Sequence, residues 1–175
     1  MDVKKLVYTA MFAVFIAVAS QISIPVSPVP INLATAAVMI TGGFLGKKHG
    51  TLSVVVYILL GAVGLPVFAA FRGGAGVLAG PTGGYIAGYI AMAFLTGYIC
   101  HKTDKLLLMI FGMAGATAVC YLLGTCWYVF VTDTPVLSAL AVCVLPFIFT
   151  DIIKIIVSAV IIKKKDRIIQ KDRQI

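Results

Sequence analysis

The sequence predicts an all-α membrane protein with six transmembrane helices and both termini on the cytoplasmic side. Three observations carry this. The chain has 175 residues, of which 61% are hydrophobic and only 11% charged, whereas soluble domains carry about 25% charged residues. Its apolar residues fall into six runs, and its basic residues gather at alternate ends of those runs. A core of this size cannot hide so much apolar surface from water, so lipid is the solvent for much of it.

The runs, in order, are Leu6 to Ile24, Leu33 to Leu45, Leu52 to Phe71, Gly83 to Cys100, Leu106 to Val131 and Val136 to Ile162. The first is about twenty residues, longer than a signal-peptide core, and reads as a first span without a cleavable signal. The second falls short of the roughly 20 residues a spanning helix needs, so it is either tilted among neighbours or partly re-entrant. The third contains Gly61, Gly64 and Pro66, and the sixth contains Pro146. All six are expected to form a single domain over residues 1–175.

Charge fixes the count of spans. With the N-terminus inside, the inner segments hold Lys4, Lys5, Lys47, Lys48, Lys102, Lys105, Lys163, Lys164, Lys165, Arg167, Lys171 and Arg173, which is twelve of the fourteen basic residues. The outer loops hold Arg72, and Lys154 lies inside the sixth run. This is the asymmetry of the positive-inside rule, and five or seven spans would spoil it. The same flanking pattern, with a net charge of +8, speaks against nucleic-acid binding, which wants basic groups along one face.

The outer loops are unusual. Ile24-Pro-Val-Ser-Pro-Val-Pro-Ile31 has three prolines and no charge, and Phe71 to Tyr85 has six glycines. Such residues serve either as turn punctuation or as a lid folded over a cavity, since long loops are disproportionately functional. Ala13 and Ala17 form a small-xxx-small pair on the first helix, and Gly80, Gly84 and Gly88 repeat at four-residue spacing. Both let helices approach closely. The glycines read as internal packing, and the alanines either pack internally or face a partner protein.

The strongest chemical signal is Asp151 and Lys154, at i and i+3 on one helix face. Lys154 is nine residues from Lys163, about 13 Å at roughly 1.5 Å per residue. Burying a charge at that depth costs about 2.5 kcal/mol or more. The pair must therefore face a polar cavity, or each other, or both. It is either a structural ion pair or a ligand site: a carboxylate accepts N–H bonds and an ammonium donates to an oxygen. Arg72 either is a solvated loop charge or meets an anionic carboxylate. Asn32 is expected as a helix N-cap or a ligand contact. Tyr85 and Trp127 read as interfacial anchors, and Tyr85 has the further option of stacking on a ring.

Enzyme chemistry is not expected. The sequence has no acidic pair, no HExxH, no Walker A lysine and no Ser/His/Asp set at membrane depth. Cys100, Cys120, Cys126 and Cys143 lack CxxC spacing and read as small buried hydrophobes, not as metal ligands or disulfides. Neither a metal nor a cofactor is expected, and energised transport would need another subunit to hydrolyse ATP.

Together these stretches resemble the BioY family, the biotin-specific S components of energy-coupling factor (ECF) transporters. The match lies in the proline-rich first loop, in Gly61-Ala-Val-Gly-Leu-Pro-Val-Phe68 followed by Gly73-Gly74 and Gly80-Pro-Thr-Gly-Gly-Tyr85, and in Pro146-Phe with Asp151 and Lys154. The resemblance implies an S-component bundle in the bacterial cytoplasmic membrane that captures biotin from outside. It implies partnership with a transmembrane coupling protein and two ATPase subunits, with Ala13 and Ala17 at the coupling-protein contact. It places Asp151 and Lys154 in the biotin site, and makes the loop around Gly74 part of its closure; Arg72, Tyr85 and Asn32 complete the expected set. Two departures stand out: Ala34 replaces a glutamine after the first loop, and Arg72 replaces a small or amide residue. An S component for another vitamin, and a membrane assembly subunit with a purely structural ion pair, are the alternatives.

Overall fold

The computed structural model describes residues 3–24 and 30–172, with side chains up to Lys165. It is mostly helical. Seven helices occur among the described residues: α1 (Val3–Gln21), α2 (Ala34–Ala62), α3 (Ala75–Ala79), α4 (Gly83–Cys100), α5 (Leu106–Thr132), α6 (Val136–Cys143) and α7 (Leu145–Asp172). Two short strands, β1 (Ser23–Ile24) and β2 (Ile31–Asn32), pair antiparallel ahead of α2. Much of the proline-rich loop, residues 25–29, on which one of the two lid readings rests, lies outside the described residues.

Among the described residues, four helices are long and apolar enough to cross a membrane: Val3–Gln21, Gly83–Cys100, Leu106–Thr132 and, within α7, Leu145–Lys165. Their outer faces are apolar, with Phe111, Leu122, Phe130 and Phe149 all exposed. That is the pattern for a lipid solvent and the reverse of a water-facing surface.

The second and third apolar runs form the two arms of α2. The arms meet at Gly46, whose φ of 75° and ψ of 174° break the helix. Only glycine occupies that region readily. The chain doubles back there so tightly that a Cβ on Gly50 would come 2.8 Å from the Cα of Gly42. The first arm, 34–45, rises only about 18 Å at about 1.5 Å per residue. The second arm ends at Ala62, so Gly64 and Pro66 lie in the following loop and not inside a helix. Gly64 has a φ of 104°, and Pro66 has no N–H to continue a helical ladder.

The sixth run is likewise divided. Pro146 stands in the first turn of α7, where its missing N–H is tolerated, and Val144 between α6 and α7 leaves helical geometry with φ −124° and ψ −53°.

The core is assembled by close approach. α2 packs chiefly on α4 and α1, α4 on α5, and α7 on both α2 and α5. The Gly84 and Gly88 positions let α5 come in against α4: a Cβ on Gly88 would sit 2.9 Å from Cys120 Sγ and 3.2 Å from its Cα. Small faces of this kind are how helices gain van der Waals contact in lipid. Ala13 also points inward, at 1% exposure. Its side chain packs within the chain, the first of the two readings of the alanine pair; Ala17 is half-buried.

Gly46→Ala is expected to lower stability by about 1–3 kcal/mol, because alanine is strained where only glycine is at ease. Gly115→Ala, where an added Cβ meets nothing within 4 Å, should be neutral or raise stability by up to about 1 kcal/mol. Thermal unfolding of the two variants in detergent compares them.

Candidate functional site

Three helices converge on one buried ion pair. Lys154 Nζ lies 2.7 Å from Asp151 Oδ1, and the residues are 8% and 3% exposed. Both stand on α7, one turn apart. Thr35, in the first turn of α2, accepts from Lys154 Nζ at 3.2 Å, and its Oγ1 is 3.4 Å from Asp151 Oδ1. From α5, the Tyr121 hydroxyl donates to Asp151 Oδ2 at 2.5 Å. The pair therefore satisfies both expectations at once: its members face each other, and they line a cavity.

The local reason is depth. An aspartate and a lysine in a run such as Ile152-Ile153 and Ile155-Ile156 have no water to turn to. Mutual pairing alone seldom repays the desolvation of two ions, so further hydrogen bonds are required. Thr35 and Tyr121 supply them. The capacity is still not exhausted. An ammonium has three donors and a carboxylate about four acceptor sites, so a ligand carbonyl can be added at Lys154 and a ligand N–H at Asp151.

The cavity has two adjoining compartments that share Pro30, Asn32, Tyr85 and Tyr89. The inner one has about 380 Å³ of atom-free space, part of it open to solvent, and is lined further by Thr35, Cys120, Tyr121, Cys143 and Phe147 around the ion pair. The outer one, about 400 Å³ on the same measure, is walled by Tyr57, Phe68, Val77 and Ile86, with Arg72 at its edge. Aromatic and aliphatic walls with a few convergent polar groups are the usual make-up of a small-molecule site.

Tyr85 is buried at 7% exposure, not an interfacial anchor. Its ring packs over Gly124, where any Cβ would collide with it, and its hydroxyl bonds Thr125 Oγ1 at 3.0 Å. It stands fixed between the compartments. Trp127 is partly exposed and donates from Nε1 to the carbonyl of Gly80 at 2.9 Å.

Asn32 lines both compartments but is not the N-cap residue; that position is Leu33. Asn32 Oδ1 nevertheless accepts the N–H of Ala34 at 3.0 Å, satisfying a helix-start donor from one residue further back. Arg72 is exposed on the cavity side of its loop, and its Nε donates to the carbonyl of Ala69 at 3.3 Å. Gly74 is set back from the residues lining either compartment. It shapes the loop instead: its φ is 96°, and its N–H donates to the carbonyl of Gly61 at 2.7 Å.

Sequence reasoning did not single out Thr35, Tyr57, Tyr89 or Tyr121. Tyr121 carried a usable signal, since a hydroxyl in the middle of an apolar run needs a partner. Thr35 carried little, because a threonine hydroxyl in a helix can bond its own backbone.

Comparison with known proteins decides the family. The BioY family matches residues 1–171. The chain belongs to the BioY family. Among its relatives, the biotin transporter BioY of Thermotoga maritima is 41% identical over 161 residues, covering 90% of this chain and 93% of the relative. The biotin transporter BioY of Lactococcus lactis subsp. cremoris is 34% identical over 175 residues, covering 93% and 90%. The crystal structure of an S-component for biotin from an ECF-type ABC transporter superposes with a TM-score of 0.88 at 32% identity, covering 94% of this chain and 92% of that one. These BioY relatives are transporters and not enzymes.

Removing one member of the ion pair leaves a buried charge unpaired. Asp151→Leu and Lys154→Met are each expected to cost about 3–5 kcal/mol, whereas the double variant should recover most of that loss. Denaturation in detergent micelles, run on all three variants, measures the difference.

Proposed function

We propose that this chain is a biotin-capturing S component of an ECF importer, taking its ligand from the outer face of a bacterial cytoplasmic membrane. The observation that carries the reading is the chemical polarity of the cavity: a donor–acceptor pair at one end, Arg72 at the other, and aromatic walls between. Biotin has a matching sequence of groups. Its ureido ring offers two N–H donors and a carbonyl, suited to Asp151 and Lys154. Its ring and chain are apolar, and its carboxylate suits a guanidinium. The relatives, biotin transporters and an S-component for biotin, support the same choice of ligand.

In this reading Asp151 accepts a ureido N–H and Lys154 donates to the ureido oxygen. Tyr121 and Thr35 hold the pair in place, Tyr85 lies against the ligand between the compartments, and Asn32 contributes a polar edge. Gly74 gives the loop the turn that brings Arg72 to the outer end. The whole chain acts as one membrane domain.

The topology proposed is six passages with both ends in the cytoplasm. The two arms of α2 count as two, α6 with α7 counts as one, and α1, α4 and α5 supply the rest. The distribution of the twelve flanking basic residues supports it. No nucleotide fingerprint occurs in the sequence, so the energy for import comes from two ATPase subunits joined through a transmembrane coupling protein. The face of α1 that carries Met11, Val14, Phe15 and Val18 is exposed and apolar. It is the surface we assign to that coupling protein, beside Ala17 and in place of the buried Ala13.

Calorimetric titration of the purified protein with biotin tests the ligand. Tight binding is expected, with a loss of about 100-fold or more in Asp151→Ala, where a charged hydrogen-bonding partner is removed. Arg72→Gln should cost about tenfold. Unchanged affinity in Asp151→Ala would overturn the site assignment, and preference for a different vitamin in a competition panel would overturn the ligand.

A further inference from the structure

Gln21, the last residue of α1, lines neither compartment, yet it holds the segment that carries the outer one's charge. Its Oε1 accepts the N–H of Phe71 at 2.9 Å. Its Nε2 donates to the carbonyl of Pro66 at 3.3 Å and to that of Ala17 at 3.2 Å. One side chain thus bonds both limbs of the loop that follows α2.

That loop needs an external hold. Ala70 and Phe71 sit at φ of 58° and 54°, a region disfavoured for residues with a Cβ. The Phe71 side chain is 71% exposed and gains little from burial. Inside the loop, the N–H of Phe68 donates to the carbonyl of Arg72 at 2.9 Å, and the Phe68 ring meets Tyr57 edge-on at 5.5 Å. Tyr57 in turn shares a hydrogen bond of 2.9 Å with Ser20, the neighbour of Gln21. The end of α1 therefore grips the wall of the outer compartment through Ser20 and its turn through Gln21.

The direction of Arg72 depends on this turn. The guanidinium is held by Nε to the carbonyl of Ala69, one residue before the left-handed pair. We infer that Gln21 is a positioning residue for anion recognition: it fixes the 66–71 turn so that Arg72 faces a ligand carboxylate at the outer end of the cavity. For the identity of the ligand this rests on the biotin reading above.

A double-mutant cycle tests it. Affinities for biotin and for biotin methyl ester, which lacks the anionic charge, are measured by calorimetry on wild type, Gln21→Met, Arg72→Gln and the double variant. Gln21→Met should weaken biotin binding about tenfold and leave the ester nearly unchanged. In the Arg72→Gln background it should add nothing further. In the ligand-free protein, hydrogen exchange of the Phe71 amide should speed up about tenfold or more, because its acceptor is gone. Equal losses for biotin and ester, additive losses in the double variant, or unchanged exchange at Phe71 would each overturn the inference. If wild type does not bind biotin, the biotin reading falls, and the exchange measurement still decides whether Gln21 holds the turn.

Discussion

The structure turns on the pairing of Asp151 with Lys154, both almost wholly buried on a helix that is otherwise apolar around them. Two full charges at that depth are tolerable only if other helices bring hydrogen-bonding groups to them. That requirement brings the first turn of α2, at Thr35, and the middle of α5, at Tyr121, to the ion pair on α7. The position of three helices is thus tied to the solvation of two side chains. The same arrangement leaves hydrogen-bonding capacity at both charges unused.

Around that point the bundle is held by the absence of side chains as much as by their presence. Gly84 and Gly88 admit α5 to α4, Gly42 admits α4 to α2, Gly124 admits the ring of Tyr85, and Gly50 lets the arms of α2 close on each other. In lipid there is little hydrophobic force between helices, so backbone proximity is what makes packing worthwhile. Tyr85 fills the space that Gly124 leaves, and the hydroxyls of Tyr85, Tyr57 and Tyr121 are tied off to Thr125, Ser20 and Asp151. Aromatic walls with satisfied hydroxyls are stiff, and a stiff cavity loses less entropy on binding.

Much of this was legible in the sequence where a rule of solvation applied. The fourth run, Gly83 to Cys100, coincides with α4, and the fifth differs from α5 by one residue at its end. The Asp151–Lys154 pair announced itself because hydrocarbon makes isolated charges expensive. The breaks were less legible. Gly46 and Pro146 are plain in the sequence, but whether a glycine bends a helix or packs inside one depends on what lies opposite, as the contrast between Gly46 and Gly115 illustrates. Thr35 and Tyr121 escaped notice because their partner Asp151 lies 116 and 30 residues away in sequence, and pairing at such range is a property of the fold. The two readings of Ala13 stayed open for the same reason: a small-xxx-small pair says that something packs closely there, not which helix does.

Asn32, Tyr85 and Tyr89 stand where the two compartments adjoin, and the polar ends are mounted on different parts of the bundle: the ion pair on α7 and Arg72 on the loop after α2. A molecule that engages both must therefore carry its own polar groups at the separation the scaffold imposes. Length is gauged before any individual hydrogen bond is made, so a molecule with the right functional groups at the wrong spacing is turned away by geometry alone.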